Sequence, residues 1–158
     1  MDSSVPVHSV WSGVDSYFVS ELHDSDAALE GSLEKCQAAG LPEIQVSEVL
    51  GKYLHLLARI HNSRRILEIG TLGGYSTIWL ARALPADGKL ITIELDPEHA
   101  EVAQANLQSA GVWDRVELRL GAALEVLPKL ESRGETAFDF IFIDADKPSN
   151  VAYLEWAV

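Results

Sequence analysis

The sequence of 158 residues has only one cysteine, Cys36, so an internal disulfide is excluded. A chain with this cysteine usage is expected in a reducing cytoplasm. Cys36 falls on the apolar face of a predicted helix, where we expect it to be a small core residue. No apolar run is long enough to cross a bilayer, and we therefore expect no membrane partner.

Basic residues are also scarce. The chain has 12 Lys and Arg against 24 Asp and Glu, a formal net charge of −12. Because such a surface repels a phosphate backbone, nucleic acid is not expected as a partner. The histidines share no metal-ligand spacing, and we expect all of them to be surface or helix-packing residues. They are His8, His23, His55, His61 and His99.

The order of the predicted elements indicates the fold. After a frayed start at residues 1–8, apolar spacing predicts three helices before residue 62. Strands predicted at 66–69, 90–94, 116–120 and 138–143 then alternate with helices. This alternation predicts an α/β fold with a doubly wound, mainly parallel, Rossmann-like sheet and N-terminal helices. We expect a single domain over 1–158, with a helical cap at 1–62 and an α/β core at 63–158.

The C-terminal end of the sequence gives a further expectation. The last predicted helix is still running at Val158, and the fourth strand is apolar enough to suit a central position with neighbours on both sides. Only one neighbour is found for it, and an open apolar edge is an aggregation hazard. We therefore expect the chain to be a fragment, truncated after the fourth strand.

The stretch from strand one into the following helix predicts a ligand site. Glu68 lies two residues before a turn that begins at Gly70 and reads Gly-x-x-Gly-Gly, and a helix follows at once. Glycines let the backbone approach a ligand, and the free N–H groups of a first helical turn point at it. The same turn could also be only a tight connection between a strand and a helix.

Polar residues or glycine also follow the other three strands, and ligands of open α/β sheets bind at that edge. Strand two ends in Glu94, which is suited to accept hydrogen bonds from a ribose diol and lies 24 residues after Gly70. The third strand is followed by Gly121 and Ala122. The fourth is followed by three charged residues, Asp144, Asp146 and Lys147.

The identity of the ligand is indicated by what the turn lacks. Its spacing does not fit the dinucleotide fingerprint Gly-x-Gly-x-x-Gly, and the acid Glu68 would repel phosphate. S-adenosylmethionine (SAM) has adenosine, a sulfonium and an amino group but no phosphate. The residues therefore favour SAM over a dinucleotide.

Three segments resemble the cation-dependent, SAM-dependent O-methyltransferases of the caffeoyl-CoA and catechol type, including their small bacterial relatives. They are ILEIGTLGGYST at 66–77, IELDP at 93–97 and FDFIFIDADK at 138–147. The similarity covers roughly residues 9–158. The resemblance implies transfer of a methyl group from SAM to a hydroxyl of a small catechol-like aromatic diol, assisted by a divalent cation: Mg²⁺, with Ca²⁺ or Mn²⁺ as alternatives.

The resemblance also implies roles for individual residues. Lys147 would be the general base, and Asp144 would bind the cation and lie near the SAM amine. The segment at Gln45 and Val46 would close over cofactor and substrate. The residues implied to bind SAM are Val46, Glu68, Gly70, Thr71, Gly74, Ser76, Glu94, Gly121, Ala122 and Asp144.

Two roles stay open at this point. Asp146 could be a partner of the site's ligands or a helix cap. The remaining metal ligands, an Asp-Asn pair in the family, are expected beyond Val158, because one carboxylate does not satisfy the near-octahedral oxygen ligation of Mg²⁺. We therefore expect the 158-residue chain by itself to be inactive.

Two other functions compete with the methyltransferase. One is a non-catalytic SAM- or nucleotide-binding module, which the absence of further metal ligands favours. The other is an NAD-dependent oxidoreductase, which the Gly-x-x-Gly-Gly spacing disfavours. The leading helices often form dimer contacts in relatives, and we therefore expect a homodimer.

Overall fold

Four parallel strands in the order β3-β2-β1-β4 form the sheet of the computed structural model, which describes residues 7–158. The strands are β1 (Arg65–Ile69), β2 (Lys89–Glu94), β3 (Val116–Leu120) and β4 (Phe140–Ile143). The order reverses between β1 and β4, so the prediction of a doubly wound parallel sheet is confirmed. Of the predicted frayed start, residues 1–6 lie outside the described residues, and residues 7 and 8 belong to the first helix.

Seven helices lie within the described residues, and capping residues set several of their starts. They are α1 (Val7–Leu22), α2 (Ala27–Ala38), α3 (Glu48–Ile60), α4 (Tyr75–Ala83), α5 (Pro97–Ser109), α6 (Ala123–Ser132) and α7 (Asn150–Ala157). The side chains of Asp26, Ser47 and Asp96 accept hydrogen bonds from the first backbone N–H groups of α2, α3 and α5.

The alternation of side chains along the strands divides the core into two layers. Ile66 and Leu90 point to one face, where they pack with residues of α2, α3, α4 and α5. Leu67 and Ile91 point to the other face and pack with residues of α6 and α7. Because both faces are covered by helices, β1 and β2 are buried along nearly their whole length, as parallel strands require.

Strand β4 differs from the other strands in its environment. It pairs with β1, and within the described residues it has no neighbour on its other side. Its four residues are only half-buried. The strand begins two residues later than the sequence predicts. Just before it, the Asp139 carboxylate accepts the backbone N–H groups of Arg64 and Arg65.

The helices before β1 belong to the same packing as the sheet. Leu29 of α2 and Leu54 of α3 are buried in the core layer that contains Ile66. The division into a cap at 1–62 and a core at 63–158 stays a prediction. Within the described residues, no helix is both long and apolar enough to cross a membrane.

Candidate active site

A cavity of about 690 Å³ opens at the carboxyl ends of the strands. This is the edge at which open α/β sheets bind their ligands. Gln45, from the segment predicted to close over the site, is on its wall. The wall also contains the predicted site residues Val46, Gly70, Thr71, Ser76, Glu94, Gly121, Ala122, Asp144 and Lys147. The predicted residues Glu68 and Gly74 lie outside the wall.

The glycine turn has a backbone that side chains would disrupt. Gly70 has a φ of +98°, and a Cβ there would overlap the carbonyl oxygen of Asp144. Gly74 has a φ of +83° and precedes the first residue of α4. The first N–H that forms an intrahelical hydrogen bond is that of Ile78, which donates to the Gly74 carbonyl. The N–H groups of Tyr75 and Ser76 precede it, and both residues line the cavity.

Glu68 lies behind the cavity wall and not on it. Its side chain is fully buried, and its carboxyl oxygens accept hydrogen bonds from the hydroxyls of Ser76 (2.7 Å), Thr77 and Thr92 (2.7 Å). Burial raises the pKa of Glu68 from 4.5 to about 7, and the three hydroxyl donors oppose that rise. Glu68 is thus linked to two wall residues, to Ser76 directly and to Thr71 by way of Thr92. Its role towards SAM stays a prediction.

Glu94 is on the wall, but its carboxylate is already engaged with the backbone. One oxygen accepts the N–H groups of Thr71 and Leu72 at 3.1 and 2.7 Å. The other accepts those of Leu95 and Asp96 at 2.9 and 3.0 Å. The carboxylate thus ties the glycine turn to the end of β2, and a carboxylate accepts about four such bonds in total.

The loop after β4 brings three charged side chains to the cavity wall, those of Asp144, Asp146 and Lys147. Lys147 Nζ lies 3.5 Å from Asp144 Oδ1, and the lysine side chain is 76% exposed. Asp146 accepts hydrogen bonds from Ser149 Oγ and from the Tyr153 hydroxyl at 2.5 and 2.6 Å. These donors, Ser149 first, lower the pKa of Asp146. Asp146 also accepts the backbone N–H of Ser149 at 3.2 Å, which is a capping bond, and it lies on the cavity wall, so both of its predicted roles stay open.

Comparison with known proteins shows which family the chain is similar to. The O-methyltransferase family profile matches residues 20–158. The chain belongs to the O-methyltransferase family. The resemblance predicted from the sequence is thereby confirmed at the level of the family.

Relatives of this O-methyltransferase are similar over nearly all of the chain. A catechol O-methyltransferase of Niastella koreensis is 48% identical over 151 residues, 96% of this chain and 68% of that protein. A catechol O-methyltransferase of Mycobacterium tuberculosis is 53% identical over 145 residues, 92% of this chain and 64% of that protein. The chain therefore spans about two thirds of the length of these relatives.

A solved structure agrees with the fold. The O-methyltransferase of Bacillus cereus, in complex with SAH, superposes with a TM-score of 0.92 at 50% identity. The superposition covers 94% of this chain and 68% of that chain. The Rossmann-like fold of this O-methyltransferase is thus confirmed by a structure that holds the product form of the methyl donor.

The donors for a divalent cation are fewer than such an ion needs. Asp144 supplies a carboxylate on the cavity wall, but the described residues contain no group of three or more His, Cys, Asp or Glu that could hold a metal ion. Mg²⁺ requires several oxygen ligands in octahedral geometry. The described residues of this O-methyltransferase therefore do not form a cation site by themselves.

The wall residues that the sequence does not predict include His99, Cys36 and Tyr153. His99 is predicted as a surface or helix-packing residue, but its Nδ1 lies 3.7 Å from Glu94 on the cavity wall. Cys36 is predicted as a core residue, but it lies half-buried on the wall. Tyr153 is held there by Asp146. Only His99 carries a signal in the sequence, because the first turn after Asp96 must start at the same sheet edge as Glu94.

Proposed function

We propose that the protein transfers the methyl group of SAM to a hydroxyl of a small catechol-like aromatic. The observation that carries this proposal is the meeting of the glycine turn, Glu94 and the Asp144–Lys147 pair around one cavity in a member of the O-methyltransferase family. The names of the relatives, catechol O-methyltransferases, support the aromatic acceptor. The activity is proposed for the protein at full length.

The charge of the cavity supports SAM as its ligand. Three acids line it, Glu94, Asp144 and Asp146, whereas Lys147 is the lone lysine or arginine on the wall in the described part of the chain. A surplus of negative charge attracts a sulfonium and an ammonium and repels a pyrophosphate. This supports SAM and weighs against the NAD-dependent oxidoreductase.

We assign the two ends of SAM to opposite parts of the cavity. Glu94 accepts from the ribose hydroxyls in exchange for part of its four backbone hydrogen bonds, since these fill its acceptor sites. Gly121 with Ala122 contacts the adenine. The methionine part lies against Gly70 and Thr71, with its carboxylate at the free N–H groups of α4 and its ammonium towards Asp144. Val46 covers the site, while Gly74 and Glu68 act from behind the wall. Glu68 acts through Ser76 and, by way of Thr92, through Thr71.

The chemical step is an in-line displacement. The acceptor oxygen forms a bond to the methyl carbon while the carbon–sulfur bond breaks, and S-adenosylhomocysteine (SAH) leaves with the bonding electron pair. Lys147 takes the proton of the acceptor hydroxyl. The enzyme holds the two reactants in line. In such a reaction, this alignment is the main way in which it lowers the activation barrier.

The divalent cation is part of this proposal, with Asp144 as the ligand from this chain and the others expected beyond Val158. When bound, such an ion lowers the pKa of hydroxyls that it chelates. Mg²⁺ is the proposed ion, and Ca²⁺ and Mn²⁺ are the alternatives. Loss of turnover in EDTA and its return with Mg²⁺ would support it, while undiminished turnover in EDTA would refute it.

We also propose a homodimer, formed through α1 and α3. These two helices contact each other and carry large apolar side chains that are mostly exposed, including Tyr17 (63%), Leu22 (62%), Tyr53 (56%) and Ile60 (78%). Apolar surface of this extent marks an association site. Light scattering after size exclusion should give twice the chain mass, and Ile60→Glu should reduce the measured mass to that of one chain.

A cytoplasmic location stays a proposal from the single cysteine.

Two measurements test the function. Calorimetric titration of the chain should detect binding of SAH and no binding of NAD⁺. Full-length protein, given SAM, catechol and Mg²⁺, should form SAH and the monomethyl ether of catechol in equal amounts. Binding of SAH without turnover by full-length protein would favour the alternative, a non-catalytic SAM-binding module.

A further inference from the structure

A buried asparagine on α5 joins the glycine turn to the N-terminal helices. Asn106 is only 1% exposed. Its Nδ2 donates to the carbonyl oxygen of Gly73 at 2.9 Å and to that of Ser32, on α2, at 3.3 Å. Cys36 Sγ, at 3.7 Å, is a third and weaker acceptor, so the two hydrogens of the amide are shared among these three groups. Three segments far apart in the sequence meet at this one side chain.

The neighbourhood of Asn106 is closely packed. Cys36 Sγ lies 3.7 Å from Asn106 Nδ2 and occupies the space into which a side chain at Gly73 would project. Helix α2 therefore packs directly on the turn, and the Gly73 carbonyl is enclosed. A buried carbonyl without a donor is unfavourable, so the amide of Asn106 is what makes this close packing possible.

The turn is held from its other side by Glu94, which accepts the N–H groups of Thr71 and Leu72. The peptide between Gly73 and Gly74 is fixed at both of its polar atoms. Its carbonyl accepts from Asn106, and its N–H donates to the Thr71 carbonyl at 2.9 Å. Its orientation sets how α4 begins.

We propose that Asn106 is a positioning residue for the methyl-donor site. By holding the Gly73 carbonyl, it sets the direction in which the N–H groups of Tyr75 and Ser76 face the cavity. The inference rests on the proposed function, because the ligand of those N–H groups is the methionine part of SAM. Asn106 lies outside the cavity wall and acts through the turn.

The second polar atom of Asn106 argues against a role in stability alone. Its Oδ1 is buried, and among the described residues no group donates to it. An unpartnered buried amide oxygen destabilises a fold, and an apolar side chain of similar size would avoid it. The donor function of Nδ2 towards the turn accounts for an asparagine at this position.

The test compares Asn106→Leu with the wild-type chain. Leucine keeps the volume and removes both the donor and the unpartnered oxygen. Because the Gly73 and Ser32 carbonyls lose their donor, the melting temperature should fall, and SAH binding is compared at a temperature where both chains are folded. Calorimetric titration should show SAH bound about fivefold to tenfold more weakly, the factor expected for one hydrogen bond. In full-length protein, KM for SAM should rise by the same factor while kcat is retained.

Controls separate the possible failures. Leu130→Ala, in α6 and away from the cavity, should lower the melting temperature but leave SAH affinity unchanged at temperatures where it is folded. Asn106→Ala replaces Asn106→Leu if the leucine variant does not fold. Wild-type SAH affinity in a folded Asn106 variant would overturn the inference. Failure of the wild-type chain to bind SAH would overturn the proposed function instead.

Discussion

Gly70 and Asp144 approach each other so closely that no side chain fits between them. A Cβ on Gly70 would overlap the Asp144 carbonyl oxygen, and the Asp144 N–H donates to the Ile69 carbonyl at 2.9 Å. The end of β1 and the end of β4 are thus fixed against each other. The turn that receives the methyl donor and the loop that carries Lys147 therefore keep one relative position.

Substitution of this glycine should disrupt both parts of the site. Gly70→Ala introduces the overlap with Asp144 at a φ of +98°, and we expect it to cost about 1–3 kcal/mol of stability and to abolish SAH binding. The control is Gly31→Ala, in the interior of α2 with open space around it, which should stabilise by roughly 0.5–1 kcal/mol. Thermal unfolding and calorimetry measure both effects; unchanged SAH affinity in Gly70→Ala would contradict the close approach.

The buried carboxyl of Glu68 should make stability depend on pH. Its folded-state pKa, raised to about 7 from 4.5, means that the folded protein holds a proton that the unfolded chain releases. This contribution is fully present below pH 4.5 and is lost as pH rises to about 7. The loss is of the order of 3 kcal/mol, at about 1.4 kcal/mol per pKa unit.

Glu68→Gln removes the titrating group and keeps the side-chain volume. Between pH 4.5 and 7, the free energy of unfolding of the variant should therefore rise relative to that of the wild type, and the difference should be constant above about pH 8. Urea unfolding of both proteins at a series of pH values measures this difference in the free energy of unfolding. Parallel curves across this range would show that Glu68 titrates at the same pH in the folded and unfolded chains.

Lys147 should affect turnover far more than donor binding. Lys147→Met should lower turnover by at least about 100-fold, the contribution of a general base. SAH affinity should change by less than about fivefold, because an exposed pair such as Lys147 with Asp144 contributes roughly 0–1 kcal/mol. Lys147→Arg separates charge from base function, since a guanidinium does not accept a proton. Activity in Lys147→Arg would refute the assignment of Lys147 as the general base. The control is Lys129→Met, which changes an exposed lysine of α6.

Asp26 should stabilise the contact between α2 and α4. It caps α2 and pairs with Arg82 Nη1 at 2.6 Å, and the Arg82 hydrogen bond is the main cause that lowers the pKa of Asp26 below 3.8. The stabilisation is therefore present above pH 3.8 and is lost as pH falls through the lowered pKa. Asp26→Ala should cost about 1–2 kcal/mol in thermal unfolding, since it removes the cap as well. Asp26→Asn keeps the cap and should cost less; no loss of stability in Asp26→Asn would mean that the ion pair with Arg82 contributes nothing.

Much of the fold and of the cavity wall could be predicted because the signals are local. The periods of the strands and helices, the turn from Gly70 to Gly74 and the caps at Ser47 and Asp96 each depend on a few adjacent residues. Parallel strands bring their carboxyl ends to one edge, so Glu94 and Asp144 were expected to meet there. The wall confirms that they do.

The direction of each side chain is what such patterns leave undecided. The motif that contains Glu68 predicts a role at the SAM site, but it does not indicate that the carboxyl is buried among three hydroxyls from α4 and β2. Alternation along β1 indicates which face a residue points to, but burial beneath α4 depends on how that helix packs. The position of Cys36 on the wall has the same origin, since α2 reaches the turn only in the folded chain.

The sequence by itself determined that this protein has a parallel α/β sheet, an acidic, glycine-containing site at its edge and the motifs of an O-methyltransferase. These features are encoded in short segments whose geometry follows from backbone preferences. The tertiary structure decided that Asn106 and Glu94 hold the glycine turn from opposite sides and that His99 lies beside Glu94. Such contacts join segments that are far apart in the chain or face each other only after packing, and no local pattern specifies them.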